Sequence, residues 1–172
     1  MDIMGKEQKV YEGVIIDVYR KQFENINAEI LKHPGGVVIA AETAEGKFFM
    51  VEQFRFAMEE NLLEFPAGKI DPGEKPETTA LRELREETGY QAQSIEYIGK
   101  TYPSPACLDE VLYLYYAKDL EFVGQDLDEN EELDVKLFDL ETIQKMIDEG
   151  DIVDSKTIAL AYHLQRKHKK TT

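Results

Sequence analysis

A single cysteine, Cys107, is the chain's whole capacity for disulfide chemistry in 172 residues. No intrachain bridge can form, so the oxidised framework of small secreted domains is excluded and a reducing compartment fits best. Long apolar runs are missing as well. Nothing approaches the roughly 18 residues that span a bilayer, and the opening MDIMGKEQKV lacks the apolar core of a signal peptide. The expected location is the cytoplasm. Cations are scarce: 20 Lys and Arg stand against 35 Asp and Glu, a formal net charge of −15. A surface that negative repels phosphate backbones and anionic headgroups alike, so neither nucleic acid nor a membrane is an expected partner. An anionic substrate would need a cation between it and the protein, and a divalent metal is the natural choice.

What remains is globular material. Hydrophobic residues make up 42% and charged residues 32%, too apolar for disorder, and the length suits one domain able to bury roughly two thirds of its unfolded surface. Internal repeats, low-complexity tracts and Pro/Gly/Ser linkers are absent, which predicts one unit over residues 1–172.

Segments rich in Val, Ile and aromatic residues predict strands at 10–20, around Ile30 and Leu31, at Val37 to Ala41 and at Phe48 to Phe54. Turn material at Asn25, at His33-Pro34-Gly35-Gly36 and at Glu45-Gly46 divides them, so the first third reads as a β-meander with a hairpin turn at the last of these. A loop, EFPAGKIDPGEKP, then leads into a helix over 76–88, with Pro76 in its first turn and Gly89 as a left-handed C-cap. Strands resume at Ser94 to Tyr102, Val111 to Ala117 and Leu133 to Phe138. Helices at Leu140 to Glu149 and Ser155 to Arg166 close the chain ahead of a basic tail. Strands with helices unevenly interleaved predict a layered α/β fold with a mixed sheet.

On the first helix, Ala80, Leu81, Leu84 and Thr88 share one face, while Glu83, Glu86 and Glu87 share another. Like charges at such spacing cost roughly 0.2–0.5 kcal/mol per pair, and Arg82 offsets only the Glu86 contribution, in the weaker orientation. A bound Mg²⁺ or Mn²⁺ would reverse that penalty, since hard oxygen ligands converging from one face beside a Gly-rich loop suit such ions. On spacing alone, a solvated acidic face is the commoner outcome.

The stretch from Gly68 to Tyr90 settles more than spacing. Gly68, Glu74 and then Arg82-Glu83-Leu84-Arg85-Glu86-Glu87-Thr88-Gly89-Tyr90 fill every fixed position of a 23-residue signature, and the chain on that ground resembles the Nudix hydrolases. The resemblance implies an α/β/α sandwich preceded by N-terminal antiparallel strands, and hydrolysis of a nucleoside diphosphate linked to another moiety. It also implies divalent metal (Mg²⁺ or Mn²⁺) on Glu83, Glu86 and Glu87 with the backbone carbonyl of Ala67. Glu74, Arg82, Gly68 and Gly89 would then support the geometry, the glycines through conformations closed to larger residues.

The flanks, LLEFPAGKID and YPSPACLDE, resemble the ADP-ribose pyrophosphatase branch: Glu64, Pro66 and Ala67 precede the signature, and Pro105 lies sixteen residues beyond Gly89. With EILKHPGGVV, VEQFRF and DENEELDV the likeness covers roughly Glu29 to Val135. Two positions depart from it, Ala28 before Glu29 and Ala106 after Pro105. That branch implies ADP-ribose cleaved to AMP and ribose 5-phosphate, and a homodimer built through residues 1–34 beside a catalytic core at 35–172. Arg55 is the expected pyrophosphate contact, by its bidentate fork; its bland alternative is a salt bridge with Glu52 or Glu59. Glu131 matches the loop glutamate that accepts the water's proton, within an acidic run that includes Glu129 and Glu132. Glu29, Ala67, Gly68, Pro105 and Glu110 complete the expected substrate contacts. His33 reads as part of a turn, Cys107 as incidental. Tyr11, Tyr19 and Phe23 are adenine-stacking candidates, each singly more at home in a core. The alternatives left open are the same chemistry on ADP-glucose, GDP-mannose or NADH, and a non-catalytic ADP-ribose sensor.

Overall fold

A computed structural model describes residues 6–126 and 133–171. Its elements run β1 (Lys6–Glu12), β2 (Asp17–Phe23), β3 (Ile26–Lys32), β4 (Gly36–Ala41), β5 (Lys47–Arg55), β6 (Glu60–Glu64), β7 (Ala67–Lys69), α1 (Pro76–Thr88), β8 (Tyr90–Thr101), β9 (Leu112–Phe122), β10 (Leu133–Asp139), α2 (Leu140–Glu149) and α3 (Ser155–Thr171). They form three sheets, in the orders β1-β2-β3, β10-β5-β6 and β7-β4-β9-β8. The last is mixed, because β4 and β9 run parallel while its other pairs are antiparallel.

The period-2 geometry of a strand explains the layering. Along β4, Val38 and Ala40 enter one core with Phe48, Met50, Leu114 and the α2 and α3 residues Ile143, Leu160 and Leu164. Val37, Ile39 and Ala41 enter the other, with Phe49, Tyr115 and the α1 residues Ala80 and Leu84. All six β4 residues are buried, as strands covered on both faces must be. The result is the expected α/β/α arrangement, with α1 on one side and α2 and α3 on the other.

Several local expectations are corrected. The strand at 10–20 breaks at Gly13 into β1 and β2, and only β1 to β3 form the meander. The turn at Glu45-Gly46 forms, with Gly46 at φ 76°, but it joins two different sheets across one Glu42–Phe48 bridge and makes no hairpin. β6 and β7 lie in segments with no strand expectation: β6 is the return strand of a hairpin with β5, Arg55 opposite Glu60, and β7 pairs with the sequence-distant β4. The basic C-terminal segment is helix, α3 continuing to Thr171.

The β1–β3 sheet meets the rest along one seam, where Leu31 N–H donates to Cys107 O (2.7 Å), Asp109 N–H donates to Leu31 O (3.1 Å) and Lys32 pairs with Asp109 at 3.0 Å. The core expectation for Tyr11, Tyr19 and Phe23 is overturned: Tyr11 is 61% exposed, and Tyr19 and Phe23 are half-buried under Lys9 and Lys21. A three-stranded sheet standing largely apart from the core leaves these rings near solvent.

α1 begins at Pro76 and ends as expected at Gly89, φ 81°, whose N–H donates to Arg85 O at 2.8 Å. A Cβ there would also approach Gln125 N and Phe122 Cε2 to 2.9 Å. Gly89→Ala should therefore cost about 1–3 kcal/mol of unfolding free energy, read from the denaturation midpoint at unchanged m-value.

Candidate active site

Antiparallel pairing of β7 with β4, Val38 opposite Ala67, brings the chain just before the glycine-rich loop against the side of α1. Glu83 and Glu87 occupy the α1 face that meets β7, and they are buried, 9% and 2% exposed; Glu86 is half-buried. The solvated-face alternative is thereby excluded for this helix. Ala67 N–H donates to Glu87 Oε2 at 3.1 Å. A Cβ on Gly68 would overlap the Glu83 carboxylate itself. Gly68 is thus required by close approach, and not by the unusual backbone conformation the sequence suggested, since it is not among the positive-φ residues.

Arg82 bridges the Glu83 and Glu86 carboxylates. Its Nη1 donates to Glu83 Oε1 and to Glu86 Oε2, both at 2.8 Å. Its Nη2 donates to Glu74 Oε2 (3.1 Å) and to Lys69 O (3.2 Å), and its Nε to Glu74 Oε1 (3.3 Å). Arg82 thus does more than offset Glu86. Burial works against its charge, yet Glu74, Glu83 and Glu86 together outweigh burial and hold the guanidinium more firmly protonated than usual. Glu74 is anchored further by Thr79 Oγ1–H (2.8 Å), and Arg82 chiefly pulls its carboxyl below the ordinary range. As the side chains stand, no three His, Cys, Asp or Glu among the described residues cage a cation.

Ala67, Gly68, Arg82, Glu83 and Glu86 form one wall of a cleft of about 720 Å³, which Glu74 and Glu87 do not line. Arg55 and Lys156 line the same cleft, and both bind Glu64, which is 1% exposed. Arg55 Nε donates to Glu64 Oε1 at 2.7 Å and its Nη2 to Oε2 at 2.5 Å; Lys156 Nζ also donates to Oε2. The anticipated salt bridge of Arg55 with Glu52 or Glu59 is therefore wrong in partner: Glu52 pairs with Lys136 at 2.8 Å. Burial would raise the Glu64 carboxyl, but Arg55 and Lys156 prevail and hold it below its usual range.

Of the other expected contacts, Ala67, Gly68, Glu83, Glu86 and Glu110 line the cleft. Glu29 does not, lying exposed on β3 and paired with Arg20 at 3.3 Å. Pro105 is exposed in a turn, and Pro103 takes the place at the cleft wall. Glu131 lies outside the described residues. The sequence reading missed Lys156, Asp154 and Ser155 at the start of α3, Ile15 from the β1–β2 connection, and His33. His33 Nδ1 accepts from Gly35 N–H at 3.1 Å and lies 3.3 Å from Glu110 Oε1. The HPGG pattern marks its turn, but nothing in the local pattern marks a contact 77 residues away. Lys156 had no local signal either.

A buried carboxylate helix beside a glycine loop, held by one arginine in an α/β/α sandwich, defines the class: the chain belongs to the Nudix family, whose NUDIX domain profile matches residues 32–160. It is 41% identical over 171 residues to an ADP-ribose pyrophosphatase of Bacillus subtilis, spanning 95% of this chain and 92% of that protein. It is 38% identical over 167 residues to a methanol dehydrogenase activator of Bacillus methanolicus, 93% and 90% respectively. A solved ADP compounds hydrolase superposes with TM-score 0.82 over 96% of this chain and 93% of that one, at 20% identity, which speaks to the fold.

Both Glu64 and Glu74 titrate below their ordinary value of 4.5. A depressed folded-state pKa contributes stability that is present above the unfolded pKa and lost as pH falls through the folded one. Unfolding free energy should therefore decline on acidification from about pH 5. The slope should be shallower in Glu74→Gln, measured by urea titration at stepped pH.

Proposed function

We propose that this chain hydrolyses the pyrophosphate bond of ADP-ribose, giving AMP and ribose 5-phosphate. The observation that carries the reading is the set of α1 carboxylates in a complete family signature: Glu83 and Glu86 on the wall of a cleft that Arg55 and Lys156 also line, with Glu87 buried on the same helix. The similarity to an ADP-ribose pyrophosphatase over nearly the whole chain supports the substrate.

Glu83, Glu86 and Glu87, with the Ala67 carbonyl, are the residues that would hold Mg²⁺ or Mn²⁺. The donor set fits: all oxygens, two of the carboxylates withdrawn from bulk water, and a glycine at 68 that alone leaves room for Glu83. Such an ion supplies charge neutralisation and Lewis acidity toward phosphoryl oxygens when bound. Arg82 fixes the Glu83 and Glu86 carboxylates through hydrogen bonds from one nitrogen. Arg55 orients the pyrophosphate through N–H donors, and Gly68 faces it from the cleft wall. Glu110 supplies a further polar contact to the substrate from the cleft wall. Glu131 accepts the proton of the attacking water.

Residues 1–34 and 35–172 act as an arm and a core within one cytoplasmic unit. The arm pairs two copies into a homodimer, a reading supported by the exposed Val10, Tyr11, Val14, Ile15 and Ile26. Among the described residues no helix is long and apolar enough to cross a membrane.

Purified protein with Mg²⁺ should release AMP from ADP-ribose faster than nucleotide from ADP-glucose, GDP-mannose or NADH, and EDTA should abolish it. Binding without cleavage would favour the sensor alternative, and another preferred substrate would correct the name of the reaction. Glu87→Gln should lower turnover by about a hundredfold or more in a folded protein. Glu131→Gln should lower kcat by about 10²–10⁴ with little change in KM, checked by initial rates across substrate concentration.

A further inference from the structure

We propose that Glu64 is a positioning residue, a buried anchor that sets the Arg55 guanidinium toward the substrate pyrophosphate and is itself locked by Lys156 from α3. The inference rests on the hydrolase reading above and adds to it a residue with no access of its own to substrate.

Glu64 ends β6 and is 1% exposed, so its carboxylate cannot serve as a surface charge. Both of its oxygens are used by the Arg55 fork, through Nε at 2.7 Å and Nη2 at 2.5 Å. A guanidinium carries five N–H donors. Two are consumed here, and the others find no partner among the described residues although Arg55 lines the cleft. Bidentate pairing fixes the plane of the fork as well as its place, which a single hydrogen bond does not. Lys156 Nζ closes the anchor on Oε2 and is held by Asp154 Oδ1 at 2.9 Å. Next to it, Phe65 N–H donates to Thr157 Oγ1 at 3.0 Å, so the first turn of α3 is tied to the strand end that carries Glu64.

Charge accounting separates positioning from attraction. Arg55 and Lys156 are balanced by Glu64 and Asp154, so this corner presents oriented donors and no net positive charge. Glu64→Gln keeps the shape and removes one negative charge, which leaves a net positive charge beside an anionic substrate. Simple attraction then calls for a lower KM, whereas loss of positioning calls for a higher one. A structural tie alone would lower stability and leave KM where it was.

The test is a cycle of wild type, Glu64→Gln, Arg55→Gln and the double variant, each checked for folding by thermal melt and assayed with ADP-ribose and Mg²⁺. The expected result is a KM raised about ten- to hundredfold in Glu64→Gln with kcat changed far less. The double variant should be no worse than Arg55→Gln, because an anchor has no effect once its cargo is gone. An unchanged or lower KM in Glu64→Gln, or losses that multiply in the double variant, overturns the proposal. Should Glu64→Gln fail to fold, Glu64→Asp keeps the charge but shortens the reach, and must raise KM in the same way. An inactive wild-type chain overturns the hydrolase reading alone; the anchor is then read from ADP-ribose affinity by calorimetry across the same variants. Absence of binding overturns both.

Discussion

Burying acidic side chains on one helix face is the constraint around which this molecule is arranged, and Arg82 is the interaction that makes it tolerable. Glu83 and Glu86 both accept from its Nη1, and Glu74 reaches back from the loop to the rest of the fork. An unpaired buried carboxylate would be protonated or would drive the segment apart. With Arg82 in place, α1 can press its acidic residues toward β7 while the adjoining Ala80 and Leu84 enter the core. The loop from Lys69 to Glu74 is drawn in by the same guanidinium, which accepts no substitute with fewer donors.

A second ionic centre mirrors the first with reversed roles. There one carboxylate, Glu64, gathers two cations, and here one cation gathers three carboxylates. Both centres open on the same cleft. This solves a problem set by composition. A chain of net charge −15 has few cations to spare for an anionic substrate, so those it has are held in fixed geometry, where directed hydrogen bonds count for more than net charge.

The N-terminal sheet stands outside this logic. It hangs on the Leu31 to Asp109 seam, its aromatic residues stay near solvent, and among the described residues up to Lys32 Ile15 alone reaches the cleft wall. Because the seam includes the chain around Cys107, the loop that carries Pro103 and Glu110 is fastened to β3.

The helix from Pro76 to Gly89, its left-handed cap, the two later helices and the acidic triad were legible in the sequence, because each is local: periodicity, a proline at one end, a glycine at the other. The same holds for the family signature, which is a statement about 23 consecutive residues. What local pattern misassigned was everything decided by distant partners. β7 is a strand only because β4 lies beside it, β4 and β5 enter different sheets despite a well-formed turn, and Gly68 is glycine because a carboxylate from α1 fills the space a side chain would take. Lys156, ninety-two residues from Glu64, and His33, seventy-seven from Glu110, join the site through contacts that no spacing rule encodes. The sequence by itself determined which chemistry the chain carries, since residue types and short-range geometry set the donors. The tertiary structure alone decided how those donors are paired, since pairing depends on which surfaces burial brings together.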